Sequence, residues 1–132
     1  MDAMKTILFA AMLAAGLLVI GCVNTVNDHS TAGMPFTKDR VEGRYPRTVD
    51  QVFQAAKDVI KKNGVLVNES ILYQTNMVKT IEAKVNQCSV YVRVEPVDPK
   101  ITSIIVQART SGGGSAIDTA HELEKQVALQ LK

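Results

Sequence analysis

Between Met77 and Thr110, apolar side chains recur at every second residue. Ile81, Ala83 and Val85 alternate with Thr80, Glu82 and Lys84, and Val90, Val92 and Val94 alternate with Ser89, Tyr91, Arg93 and Glu95. Ile104, Val106 and Ala108 repeat the pattern over Ile101 to Thr110, with Ile105 on the polar side. A period of two puts successive side chains on opposite faces of a strand, so the pattern calls for an antiparallel sheet with one dry and one wet face. Val65 to Leu72 supplies a further strand, and Gln74-Thr75-Asn76, Asn86-Gln87 and Pro96 to Lys100 read as the turns between them. Glu42 to Arg47 reads as a short strand that Pro46 confines to an edge.

A dry face needs a cover, and two stretches of helical period provide it. Val49, Val52, Phe53, Ala56, Val59 and Ile60 form one apolar stripe, and Ala116, Ala120, Leu123, Val127 and Leu131 form another. Thr48 with Gln51 three residues on has the spacing of a capping box. Gly64 is expected to end the first helix in the left-handed conformation. Ser115, with Asp118 after it, is expected to cap the second. The expected fold is therefore α+β, a four- to five-stranded antiparallel sheet with two helices on one face, in the order β-α-β-β-β-β-α, over residues 41–132. A domain of that length buries only about 60–65% of its unfolded surface, which argues against a deep internal active site.

The N-terminal end carries a different kind of signal. Lys5 is followed by an unbroken apolar run from Ile7 to Ile20 and then by Gly21-Cys22. The run is shorter than the roughly 20 residues a membrane-spanning helix needs and has no polar face, which suits the h-region of an export signal. Asp2 precedes the only basic residue of this region, which leaves Met1 and Met4 as alternative starts. The tetrapeptide Val19-Ile20-Gly21-Cys22 resembles the lipobox of bacterial lipoproteins. That resemblance implies removal of residues 1–21, a lipid on Cys22 and attachment to a membrane. Two or more acyl chains give stable anchoring where one is marginal. Val23 stands where enteric lipoproteins retained in the inner membrane carry Asp, so the resemblance points to the periplasmic leaflet of the outer membrane. Residues 22–40, from the lipidated Cys22 through Val23 to Arg40, are polar and without period, as expected of a flexible tether, and include His29.

Charge adds little. The chain has 15 basic and 13 acidic residues; removing residues 1–21 takes one of each, Lys5 and Asp2, so the net charge stays at +2. That balance gives no footprint for nucleic acid. With Cys22 acylated, Cys88 has no partner in the chain, and its parity with Val90 places it on the apolar face, where a free thiol behaves as a small hydrophobe. An intermolecular disulfide is the alternative.

No catalytic constellation emerges. His121 is the only histidine of the folded region, Glu122 and Glu124 beside it do not complete a metal site, and no nucleophile elbow is present. Glu69, Glu82 and Glu95 lie on or near strands without the aromatic walls of a sugar groove. Ser111-Gly112-Gly113-Gly114-Ser115 lacks the Lys of a phosphate loop and reads as a connector, with Arg109 the one charge beside it. We therefore expect no enzyme, no cofactor and no metal. A candidate partner surface lies on the wet face at Tyr91, Arg93, Glu95 and Arg109, since Tyr and Arg are enriched where proteins bind one another.

Taken with Tyr45-Pro46-Arg47-Thr48-Val49-Asp50-Gln51-Val52-Phe53 opening the first helix, the whole layout resembles a family of small uncharacterised Gram-negative lipoproteins. The resemblance implies a periplasm-facing lipoprotein with a binding or structural role in the cell envelope and a protein partner there; the alternative is a carrier or sensor of a small apolar ligand such as a lipid. It supplies Cys22 as the lipidation site and no catalytic residue.

Overall fold

The structure, a computed structural model, describes residues 21–26, 30–33, 38–73 and 77–132. The apolar run before Gly21, His29 and the expected turn at 74–76 lie outside the described residues.

The order of the main domain is β3 (Arg40–Tyr45), α1 (Val49–Asn63), β4 (Gly64–Tyr73), β5 (Met77–Val85), β6 (Cys88–Asp98), β7 (Ile101–Arg109) and α2 (Ile117–Gln130), preceded by β1 (Gly21–Asn24) and β2 (Ser30–Gly33). Strands β3 to β7 form one antiparallel sheet in the order β3-β7-β6-β5-β4. This is the α+β fold expected from the period. The meander from β4 to β7 brings β7 back beside β3, so α1 carries the chain from one edge of the sheet to the other.

Register turns the alternation into layers. Ala83, Val90 and Ala108 stand abreast, as do Ile81, Val92 and Val106. These six are 0–2% exposed beneath Val52, Ala56, Val59 and Ile60 of α1 and Ala120, Leu123 and Val127 of α2. Burying each Val or Ile fully contributes about 1.5–3 kcal/mol, so this single layer dominates stability. Thr48 caps α1 with its hydroxyl on the Gln51 N–H at 3.2 Å, while the Gln51 side chain accepts from the Thr48 N–H at 3.1 Å. That is the capping box its sequence spacing indicates.

Three local expectations are corrected. Gly64 is extended, at φ −171°, because β4 begins there without an intervening turn. Its glycine is needed for space: a Cβ would collide with the backbone carbonyl of Lys84 on β5. Ser115 does not cap α2, whose first turn follows Ala116 with no side-chain cap. Its hydroxyl instead donates to the carbonyl of Lys38, because the loop folds back along β7 and brings Ser115 to the chain entering β3. Strand β6 runs on past Glu95 to Asp98. Pro96 pairs with Thr102 of β7 and Val97 is bulged out; the ladder to β5 has already ended at Val94, so the missing Pro N–H breaks nothing there.

The stretch expected to be a structureless tether also differs. It contains the antiparallel β1–β2 ladder, and Thr25, Val26 and Asp39 are buried. Val26 and Asp39 are held there by polar groups of the sheet's outer face.

Candidate functional site

The outer face of the sheet carries Thr80, Glu82 and Lys84 on β5, Ser89, Tyr91, Arg93 and Glu95 on β6, and Ser103, Ile105, Gln107 and Arg109 on β7. Most of a wet face should be open to solvent. Here Gln107 is 0% exposed, Asp39 3%, Arg109 5% and Val26 6%.

Asp39 organises the cluster from the residue before β3. Its carbonyl accepts from the Ala108 N–H at 3.0 Å, extending the β3–β7 ladder by one step. Its Oδ2 accepts from Gln107 Nε2 at 2.5 Å and from Arg109 Nε at 2.7 Å, and its Oδ1 accepts from Arg40 Nε at 3.2 Å. Burial pushes the Asp39 carboxyl up, but the hydrogen bonds from Gln107, Arg109 and Arg40 outweigh it and hold the group below the usual carboxylate range. The guanidinium of Arg109 also reaches back to the carbonyl of Gly113 at 3.1 Å.

Val26 docks onto this cluster through its backbone. Gln107 Oε1 accepts the Val26 N–H at 2.9 Å, and Arg93 Nη1 donates to the Val26 carbonyl at 3.2 Å. Gln107 thus donates to Asp39 and accepts from Val26, joining residues 81 and 68 positions away. A buried amide costs several kcal/mol unless its groups are paired, and these partners supply the pairing.

Of the sequence candidates, Tyr91, Arg93 and Glu95 do share β6, with Arg93 Nε 3.3 Å from Glu95 Oε2. All three are half-buried. Arg109 is not part of an open surface with them: it is buried beside Ser89 and ion-paired to Asp39. In the Gly-rich loop the Gly113 and Gly114 N–H groups donate to Thr110, and the Ala116 N–H donates to the Ala108 carbonyl. His121 is exposed on α2, and Cys88 is a free, half-buried thiol. Among the described residues no group of three or more His, Cys, Asp or Glu side chains could hold a metal ion.

The sequence places Gln107 with Arg109 on the wet face but gives no sign that it is buried, and it does not mark Asp39, Thr25 or Val26 as site residues. Two apolar residues in polar surroundings were the available signal: Val26 in the tether and Ile105 on the wet face.

No family model matches the chain, and no curated protein does. Among the described residues no helix is long and apolar enough to cross a membrane.

On the helix side, an open groove of about 680 Å³ runs between α1 and the β4–β5 hairpin over Phe53. Its charges are neutralised in pairs, Lys79 with Asp50 at 2.5 Å and Lys57 with Glu69 at 3.4 Å, and both ammonium groups lie within 5.4 Å of the Phe53 ring centroid. At the sheet's edge, β4 pairs among the described residues with β5 alone. Val65 is 66% exposed there and Val67 54%, and Ile71 is also exposed.

Proposed function

We propose that the chain is a lipid-anchored, periplasm-facing protein of the bacterial cell envelope, in the manner of the small Gram-negative lipoproteins it resembles, whose α+β domain is a binding module and not an enzyme. Lipid on Cys22 holds it at the membrane, in the periplasmic leaflet of the outer membrane. The β4 edge carries this reading. An unpaired strand edge with exposed apolar side chains is the template on which a partner's extended segment adds as a further strand. Its only charged residue, Glu69, is already paired with Lys57, so the edge suits a neutral, apolar segment of an envelope protein. The carrier alternative needs room between helices and sheet, and the side chains there are packed at 0–3% exposure for Ile81, Val90, Val92, Val106, Ala120 and Leu123, which favours the module.

A photoreactive residue in place of Val67 tests this in cells. The module reading expects a discrete adduct with another protein, lost when Val65→Lys and Ile71→Lys are added to the edge. An adduct with a second copy of the chain, or none while the purified domain carries lipid, overturns it.

A further inference from the structure

We infer that the outer face of the sheet is the surface that lies toward the bilayer, held there by a leash running only from Cys22 to Val26. The inference rests on the lipoprotein reading and adds an orientation to it.

A tether from Cys22 to Arg40 would let the domain roam about 60 Å from its anchor at full extension. Val26, however, is fixed to the sheet by Gln107 and Arg93, so the effective leash is four residues long. At about 3.4 Å per residue its reach is no more than about 14 Å. A lipid on Cys22 therefore keeps the middle of the outer face, where β6 and β7 present Arg93 and Gln107, within that distance of the headgroups. Both helices cover the opposite face, so their outer surfaces lie at least one helix diameter further away, about 10 Å. The β4 edge is then presented sideways along the membrane, open to a neighbour.

Charge does not set this orientation. Arg40, Arg44, Lys84 and Arg93 on the outer face are interspersed with Glu42, Glu82 and Glu95. Arg44 is within 3.2 Å of Glu42 and Arg93 within 3.3 Å of Glu95, so no basic field remains to attract anionic lipid. The clamp on Val26 does the work, and the orientation should not respond to salt.

The test uses the full lipidated chain, purified from membranes and reconstituted into vesicles of phosphatidylethanolamine and phosphatidylglycerol containing a headgroup-nitroxide lipid. In a Cys88→Ser background, a fluorophore is placed on Lys84→Cys of the outer face or on Lys61→Cys of exposed α1. Quenching at position 84 and none at 61, unchanged by salt, is the expected result. A Gly-Ser insertion of about ten residues after Val23 adds about 34 Å of reach without touching the clamp, and it should abolish the difference. Equal quenching at both positions of the uninserted chain, on vesicles that retain it, overturns the orientation and leaves the anchor standing. A purified chain whose mass shows no lipid on Cys22 overturns the lipoprotein reading itself.

Discussion

Arg109 Nε lies 2.7 Å from Asp39 Oδ2, joining the end of β7 to the residue before β3, with both side chains 5% exposed or less. A buried ion pair adds modest net stability, because desolvation offsets much of the attraction. Breaking one from a single side is different, since the survivor loses its buried counter-charge. Asp39→Ala should destabilise the domain by about 3–5 kcal/mol, and Arg109→Met by less, because Asp39 keeps Arg40 and Gln107. The double variant should cost clearly less than the sum. Urea unfolding of all four proteins measures the coupling.

Acid should act through the same carboxylate. Asp39 titrates below its ordinary value, and Glu42 does so too, held down by the Ser103 hydroxyl and then by Arg44 Nε. A depressed folded value means the unfolded chain binds protons more readily, so stability is present above the unfolded pKa near 4 and is lost as pH falls through the folded value. The urea midpoint should therefore drop as the pH falls below about 4. Asp39→Asn, less stable at neutral pH, should flatten that drop.

Alkali should work at the opposite end of β3. Tyr45 donates its hydroxyl to Glu124 Oε1 of α2, and Gly43 leaves the space, since a Cβ there would collide with both side chains. Burial first, then the Glu124 carboxylate as hydrogen-bond acceptor and charge, raise the Tyr45 pKa far above its ordinary value. For a raised value the stability is complete below the unfolded pKa near 10 and is lost as pH rises through the folded one. Tyr45→Phe should remove this alkaline slope and cost about 1.5–3 kcal/mol at neutral pH, both read from denaturant unfolding against pH.

The two helix starts should respond differently to loss of a hydroxyl. Thr48→Ala removes a complete capping box and should cost about 1 kcal/mol. Ser115→Ala should leave α2 intact by far-UV circular dichroism, because that hydroxyl serves Lys38 instead.

At the junction of α1 and β4, Gly64→Ala forces the two strands apart at the Lys84 carbonyl. A loss of about 1–3 kcal/mol is expected, with amide exchange of the β4–β5 ladder rising first.

The contrast among these sites shows what a sequence exposes. Val90, Val92 and Val94 declare their face because the strand repeats every second residue, and Thr48 with Gln51 declares a helix start because both partners are local. Gln107 declares nothing: its partners Val26 and Asp39 are far away, and its place in the wet parity of β7 disguises a fully buried amide. Arg109 has the same disguise, so it reads as surface until Asp39 is seen against it. Gly64 reads as a left-handed cap because helices commonly end that way, whereas the space it vacates belongs to Lys84 on a different strand. Local periodicity carries the layers, and long-range polar pairing carries the docking of Val26.

The most direct measurement of the central proposal is the intact mass of the protein extracted from the membranes of the cells that make it. The account expects a chain beginning at Cys22, with residues 1–21 gone and acyl chains added at that residue. A mass equal to the unmodified full chain, or to a chain that starts elsewhere and carries no lipid, would contradict it.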